Sequence, residues 1–253
     1  MINAGGGRLL AVAAAVMALI AAPAGGEVPD LDATVSAGQA RYAQVRDYTC
    51  LMSRTEWVER TGQYKVQSNI VLKHRKPGSF YLKWTEGSAK GTETLYVEGR
   101  NDGRMFVHYN NIFKFLTFAL DPASQRALKN NRHTIREAHL GFFLEMIETN
   151  LRRARAAGDG QVAFTGEETL DGRASLQFEA RLPQDKGFYG GRVLMNFDRE
   201  LSLPIKVEVF GWDGRLWERY QFTQLVIDPG LRDEDFDLRN PAYGFDGHHI
   251  YGL

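Results

Sequence analysis

A single cysteine, Cys50, occurs in 253 residues. That excludes an internal disulfide and leaves the hydrophobic core to hold the fold. A buried strand position suits a lone thiol of this kind. Charge of one sign is missing too: 31 Lys and Arg stand against 31 Asp and Glu. A nucleic-acid partner needs a basic face that displaces counterions, so none is expected. Long apolar runs are confined to Leu9–Ala22, preceded by Arg8 and followed by Ala22-Pro23-Ala24. The run is short for a bilayer span and suits a secretory signal with a small-residue cleavage site. Residues 1–24 are therefore expected to be a signal peptide. The mature chain would carry 30 basic residues against 31 acidic ones, since only Arg8 is lost. It would lie outside the cytoplasm, in the periplasm or cell envelope, with no further membrane span.

Chemical motifs are equally scarce. His133 and His139 do not share a helical face, and no neighbouring acid completes a metal set with them. Asp233, Glu234, Asp235 and Asp237 lack the alternating ligands and central glycine of a calcium loop. The sequence has no Gly-x-Ser-x-Gly, and Cys50 has no histidine close by. Gly187, Gly190 and Gly191 do not lead a strand into a helix, so they form no phosphate cradle. Glu167 and Glu168 are adjacent on a strand pattern and point to opposite faces. No enzyme activity, metal or cofactor is expected from these residues.

What the chain does contain is strand periodicity around one long helical pattern. In His139–Gly158, Leu140, Phe143, Leu144, Ile147 and Leu151 fall on one helical face. Phe142 and Met146 widen that face, which suggests cover over more than one stripe. Arg152, Arg153 and Arg155 suit the negative end of the helix dipole, and Gly158 can stop the helix in the left-handed conformation. Thr134 and Glu137 fit a capping box just upstream. A second helix is expected within residues 29–46, capped by Asp30 or Asp32.

Extended runs occupy Tyr48–Arg60, Gln63–Arg75, Phe80–Trp84, Thr92–Glu98 and Arg104–Tyr109 before the long helix. After it come Gln161–Leu170, Arg173–Leu182, Arg192–Asp198, Ile205–Phe210 and Leu216–Ile227. Thr61-Gly62 and Asp171-Gly172 mark hairpin turns. About ten strands joined in order by short connections predict an α+β domain. Its curved antiparallel sheet, an unclosed β-barrel, would have helices covering or plugging the concave face and a wet outer face. Ile112, Phe113, Phe115, Leu116, Phe118 and Leu120 crowd one short segment, which either folds onto the core or meets a partner. Leu231 and Phe236 are placed to pin the chain end, and residues 241–253 read as a flexible tail.

Certain stretches resemble a known family. They are Lys76-Pro-Gly-Ser-Phe-Tyr-Leu-Lys-Trp84, Glu93-Thr-Leu-Tyr-Val-Glu-Gly99, His133-Thr-Ile-Arg-Glu-Ala-His-Leu-Gly141, the last strand from Trp212 to Phe222, and Leu231-x-x-x-x-Phe236. With them, residues 40–238 look like an uncharacterised exported bacterial family, domain of unknown function 1571, within the LolA/LolB-like lipoprotein-carrier superfamily. The resemblance implies a half-barrel over residues 25–240 whose cavity takes acyl chains of lipids or lipoproteins. The alternative is an envelope interaction or stress-sensing module that meets a protein through residues 112–120 without lipid. Cavity candidates are Phe80, Leu82, Trp84, Phe113, Phe115, Phe118, Phe143, Leu144 and Ile147, although residues of this kind are more often plain core than ligand lining. The carriers latch their lid with an inner-strand arginine, and Arg54 is the candidate here.

Overall fold

Asp171 and Gly172 both take left-handed torsions, with φ of 53° and 75°, as a two-residue hairpin turn of this composition requires. The computed structural model describes residues 28–110, 116–129, 131–158, 160–245 and 249–252. The expected signal peptide, Phe113 and Phe115 lie outside these residues. Strands β1 (Asp47–Val58), β2 (Gln63–Arg75), β3 (Ser79–Trp84), β4 (Glu93–Val97), β5 (Met105–His108) and β6 (Leu116–Leu120) follow helix α1 (Leu31–Gln44). Helix α2 (Leu140–Ala157) separates them from β7 (Gln161–Leu170), β8 (Arg173–Arg181), β9 (Arg192–Asp198), β10 (Pro204–Phe210), β11 (Leu216–Ile227) and a short β12 (His249–Gly252).

The twelve strands among the described residues form one sheet in the order β12-β6-β5-β4-β3-β2-β1-β11-β10-β9-β8-β7. Each pairing is antiparallel except β12 with β6. The expected fold class, an unclosed barrel with helices, is the one found. Its strand order differs from a single meander. Two meanders meet through β1 and β11, while β6 and β7, which flank α2 in the chain, lie at opposite sides of the sheet.

One face of this wall packs on the helices. Phe143 of α2 lies 5.3 Å from the Tyr220 ring and 5.6 Å from that of Phe222, both on β11. The Leu140 amide donates to the Tyr48 hydroxyl of β1 at 3.0 Å. α1 presses on α2 closely enough that a Cβ at Gly141 would lie 2.3 Å from the Tyr42 ring, so only glycine fits there. Gly158 ends α2 at φ 71°, where the left-handed stop was expected. The Thr134–Glu137 capping box is formed, but it caps a single 3-10 turn (Ile135–Glu137). α2 itself is capped by His139, whose Nδ1 accepts from the Phe142 amide at 3.2 Å.

The other face is not wet along its whole length, as the alternation had suggested. Tyr81, Leu95, Val97, Phe106 and Ala119 form a second core with Phe236, Tyr243 and Phe245. Tyr243 stacks on Tyr81 at 3.9 Å, and the Gly244 amide donates to Glu93 at 2.9 Å. Asp235 pairs with Lys73 at 2.6 Å. The chain end is therefore bound down through Phe245 rather than loose from residue 241. The cause lies in β4 and β5, whose residues are buried on both sides. A sheet region with two apolar faces needs two covers.

Where α1, α2 and β2 meet, the Tyr42 hydroxyl lies 3.3 Å from His74 Nε2 and 3.1 Å from His139 Nδ1. Burial, with His139 and Lys76 adding to it, holds His74 down at about 3. Burial and the nearby Lys76 charge hold His139 at about 4.

Phe245→Ala should lower the free energy of urea unfolding by about 3 kcal/mol, the cost of emptying a buried aromatic site. A change within about 0.5 kcal/mol would mean a solvated tail. The two histidines are neutral when folded and titrate near 6.5 when unfolded, so the unfolded chain binds more protons below that pH. Stability should accordingly fall from pH 6.5 to 5 with a slope of up to about 2.7 kcal/mol per unit. His74→Gln should remove about half of that slope, and an unchanged slope would rule out His74 as its source.

Candidate functional site

α2 meets the two halves of the wall differently. Towards β1 and β11, Leu140, Phe143 and Leu144 are no more than 2% exposed and pack against large side chains in the main core. Towards β8–β10 the facing residues are shorter, and a cavity of ≈ 230 Å³ remains. Phe142, Met146, Ile147, Asn150 and Leu151 line it from the helix. Ala180, Val193, Met195 and Val209 line it from the sheet, with Leu182 and Gly190 beyond the strand ends. His133 and Tyr189 supply a polar margin, and Tyr189, 44% exposed, marks the side that reaches solvent.

Behind that margin lies a buried charge cluster. Glu56 and Glu218 stand directly opposite each other on β1 and β11, each 1% exposed. Like charges in that register repel, so both carboxylates need partners. His133 Nε2 lies 2.9 Å from Glu218, and the Tyr189 hydroxyl donates to the same carboxylate at 3.3 Å. The Tyr220 hydroxyl donates to Glu56. Burial alone would lower the pKa of His133, but its hydrogen bond to Glu218 and the charges of Glu218, Glu137 and Glu56 outweigh that and raise it. Burial first, and then the Glu218 charge, push Tyr189 up to about 12.

The same cluster fixes the segment leading into α2. Arg54 donates to Gln67 Oε1 at 2.7 Å and to the side-chain Oδ1 of Asn131 at 3.0 Å, and Lys65 donates to the same Oδ1 at 2.7 Å. Arg132 donates to the Trp57 carbonyl at 3.2 and 3.0 Å and to the Tyr189 hydroxyl at 2.9 Å. Burial and the Arg54 charge hold Lys65 down at about 8, with Glu56 opposing them.

Of the cavity candidates read from sequence, Ile147 lines the cavity. Phe80, Leu82, Phe143 and Leu144 are buried in the main core, and Trp84 and Phe118 pack half-buried against it. Phe113 and Phe115 lie outside the described residues. Within the segment 112–120 the described part is β6, which carries β12 on one side and β5 on the other. Met146 and Phe142, noted for widening the apolar face of α2, turn out to be cavity wall. Ala180, Val193 and Val209 had no sequence signal beyond inward strand positions. Among the described residues no group of His, Cys, Asp and Glu could hold a metal ion. No helix there is long and apolar enough to cross a membrane. Burial pushes the Cys50 thiol far above its ordinary range.

A family model described as a protein of unknown function (DUF1571) matches residues 45–245. No curated protein matches the chain. Among solved structures, Mycobacterium tuberculosis lipoprotein LppX is similar, with 11% identity and a TM-score of 0.47 over 82% of this chain and 100% of that one. The LolA superfamily protein NE2245 from Nitrosomonas europaea has 13% identity and a TM-score of 0.33 over 81% of this chain and 96% of its own. The Pseudomonas aeruginosa MucA/MucB complex structure has 17% identity and a TM-score of 0.40, covering 80% of this chain and 60% of that one.

His133→Ala would leave Glu218 buried without its cation, a change that costs about 3–5 kcal/mol. Because the folded pKa of His133 is raised, this contribution is full below about 6.5 and is lost as pH rises through the folded value. An NMR titration should place His133 above 6.5, and Glu218→Gln should bring it down. A His133 titration unmoved by that change would separate the ring from the carboxylate.

Proposed function

Since the chain belongs to the DUF1571 family, whose function is unassigned, we propose from its own cavity that it is an exported binding protein of the periplasm or cell envelope. Its ligand is an acyl chain of a lipid or lipoprotein, held between α2 and β8–β10. The observation that carries this reading is a nearly all-apolar cavity lined by Met146, Ile147, Leu151, Ala180, Met195 and Val209 beside a polar margin. Such a combination is what small-molecule sites present.

The volume sets a scale. At roughly 30 Å³ per methylene-sized unit, the share of one water in the liquid, the cavity takes about eight units. At about 0.8 kcal/mol each, their burial contributes about 6 kcal/mol before ordering costs. A longer chain would leave its head at the Tyr189 side or require α2 to shift outward. The short segment 131–133, tied by polar contacts to β1, β2, β11 and Tyr189 and by ring contacts of His133 with Phe142 and Tyr220, suits a part that yields when the chain enters. Arg54, through Asn131, is one of its fasteners.

Native mass spectrometry of the purified mature protein should show co-purifying acyl lipid. Met146→Trp, which fills the cavity from the helix side, should reduce lipid content at least tenfold while leaving the melting temperature unchanged or higher. Wild-type protein free of lipid and unable to take up added acyl probes would end this reading. If Phe118→Ser instead removed a pulled-down protein and left lipid content alone, the interaction module would take its place.

A further inference from the structure

The polar margin of the cavity holds its charges in a closed set, which bears on the ligand's head. Among the described residues no Lys or Arg lines the cavity, and His133 and Tyr189 are its titratable residues. His133 has both ring nitrogens directed at protein acids, Nε2 at Glu218 (2.9 Å) and Nδ1 at Glu137 (3.8 Å). The Tyr189 hydroxyl accepts from Arg132 at 2.9 Å and donates to Glu218 at 3.3 Å. Arg132 gives two further hydrogens to the Trp57 carbonyl and faces Glu59 at 3.8 Å. Just behind stand Glu218 and Glu56, both 1% exposed. Asn150 gives one of its two Nδ2 hydrogens to the Met146 carbonyl at 2.8 Å, which leaves one hydrogen and its own carbonyl oxygen for a neutral polar head.

From this closed set we infer that the cavity selects chains whose polar end is uncharged, such as an alcohol, ester or amide, and discriminates against free fatty carboxylates. The inference rests on the acyl-binding reading above and narrows its ligand class. A carboxylate entering at the Tyr189 side would meet no Lys or Arg among the described lining residues, would find His133 already bound to Glu218, and would face the Glu218 charge at short range. A buried ion without a partner is strongly disfavoured. A hydroxyl or amide can donate to Asn150 and brings no charge into the low-dielectric margin. His133 and Glu218 then act as specificity-determining residues by satisfying each other.

The test compares 1-dodecanol with laurate, matched in chain length, at pH 7.5 by displacement of the neutral probe 1-aminoanthracene from the mature protein. Wild type should bind dodecanol at least tenfold more tightly. Glu218→Gln, which removes the carboxylate facing the incoming head, should strengthen laurate binding relative to dodecanol and narrow the gap below about threefold. Should that variant fold poorly by circular dichroism, Tyr189→Lys places a cation at the half-exposed margin and should narrow the gap in the same way. Equal binding of the two probes by wild type would overturn the selection while leaving the acyl cavity standing. A gap that neither variant narrows would also overturn it. Binding of neither probe would remove the acyl cavity and this inference together.

Discussion

The β1–β11 ladder is the contact on which the rest depends. It joins residues as far apart in sequence as Tyr48 and Ile227, and without it the chain would be two separate hairpin ladders with α2 between them. Joined, they make one wall wide enough to wrap a helix. The same ladder carries the inner aromatic residues that seat Phe143 and, further along, the facing carboxylates of Glu56 and Glu218. A register slip of one residue would turn both sets to the other face. The buried carboxylates draw their hydrogen bonds from His133, Tyr189 and Tyr220, contacts that such a slip would break, while Glu56 Oε2 is buried without a partner among the described residues.

Helix α2 is the second element of this arrangement, and it is packed unevenly. Against β1–β3 and β11 its side chains fill the space, with Phe143 meeting aromatic rings on β11. Against β8–β10 they meet Ala180, Val193 and Val209, and the gap persists because these side chains are too short to close it. Met146, unbranched and adaptable, sits where the gap is. The cavity is therefore a product of side-chain length on one half of the sheet, not of an irregular backbone.

Much of the architecture could be read from the sequence because it rests on local rules. The Asp171-Gly172 turn, the Gly158 stop and the apolar face of α2 are each set by residues close together in the chain. The pairing of β1 with β11 could not be read this way, because nothing local distinguishes it from a continuous meander. The two-sided burial of β4 and β5 was visible in the apolar runs Leu95-Tyr96-Val97 and Met105-Phe106-Val107, which do not alternate. Its partner, the segment with Tyr243 and Phe245, was hidden by the glycine, proline and asparagine around it. For the site, bulky aromatic residues drew attention, yet large side chains fill space. The hollow lies where small ones face each other, which becomes visible only with the register in hand. The Glu56–Glu218 pair was equally hidden, since its two members are 162 positions apart in the chain.

The chain end bound across β3–β6 gives the molecule a mechanical asymmetry. That half is a three-ply laminate, with helices on one side and the Phe236–Phe245 strap on the other, so bending it would shear two apolar layers at once. The β7–β10 half has helix on one side and, on the other, a single layer of polar side chains that includes Asn196, Lys206 and Glu208, with no second apolar cover among the described residues. Its outermost strand, β7, has neighbours on one flank only. Compliance is thus concentrated in the half that holds the cavity, and a guest too large for the resting volume would be accommodated by flexing the thin ply while the laminated half keeps its shape.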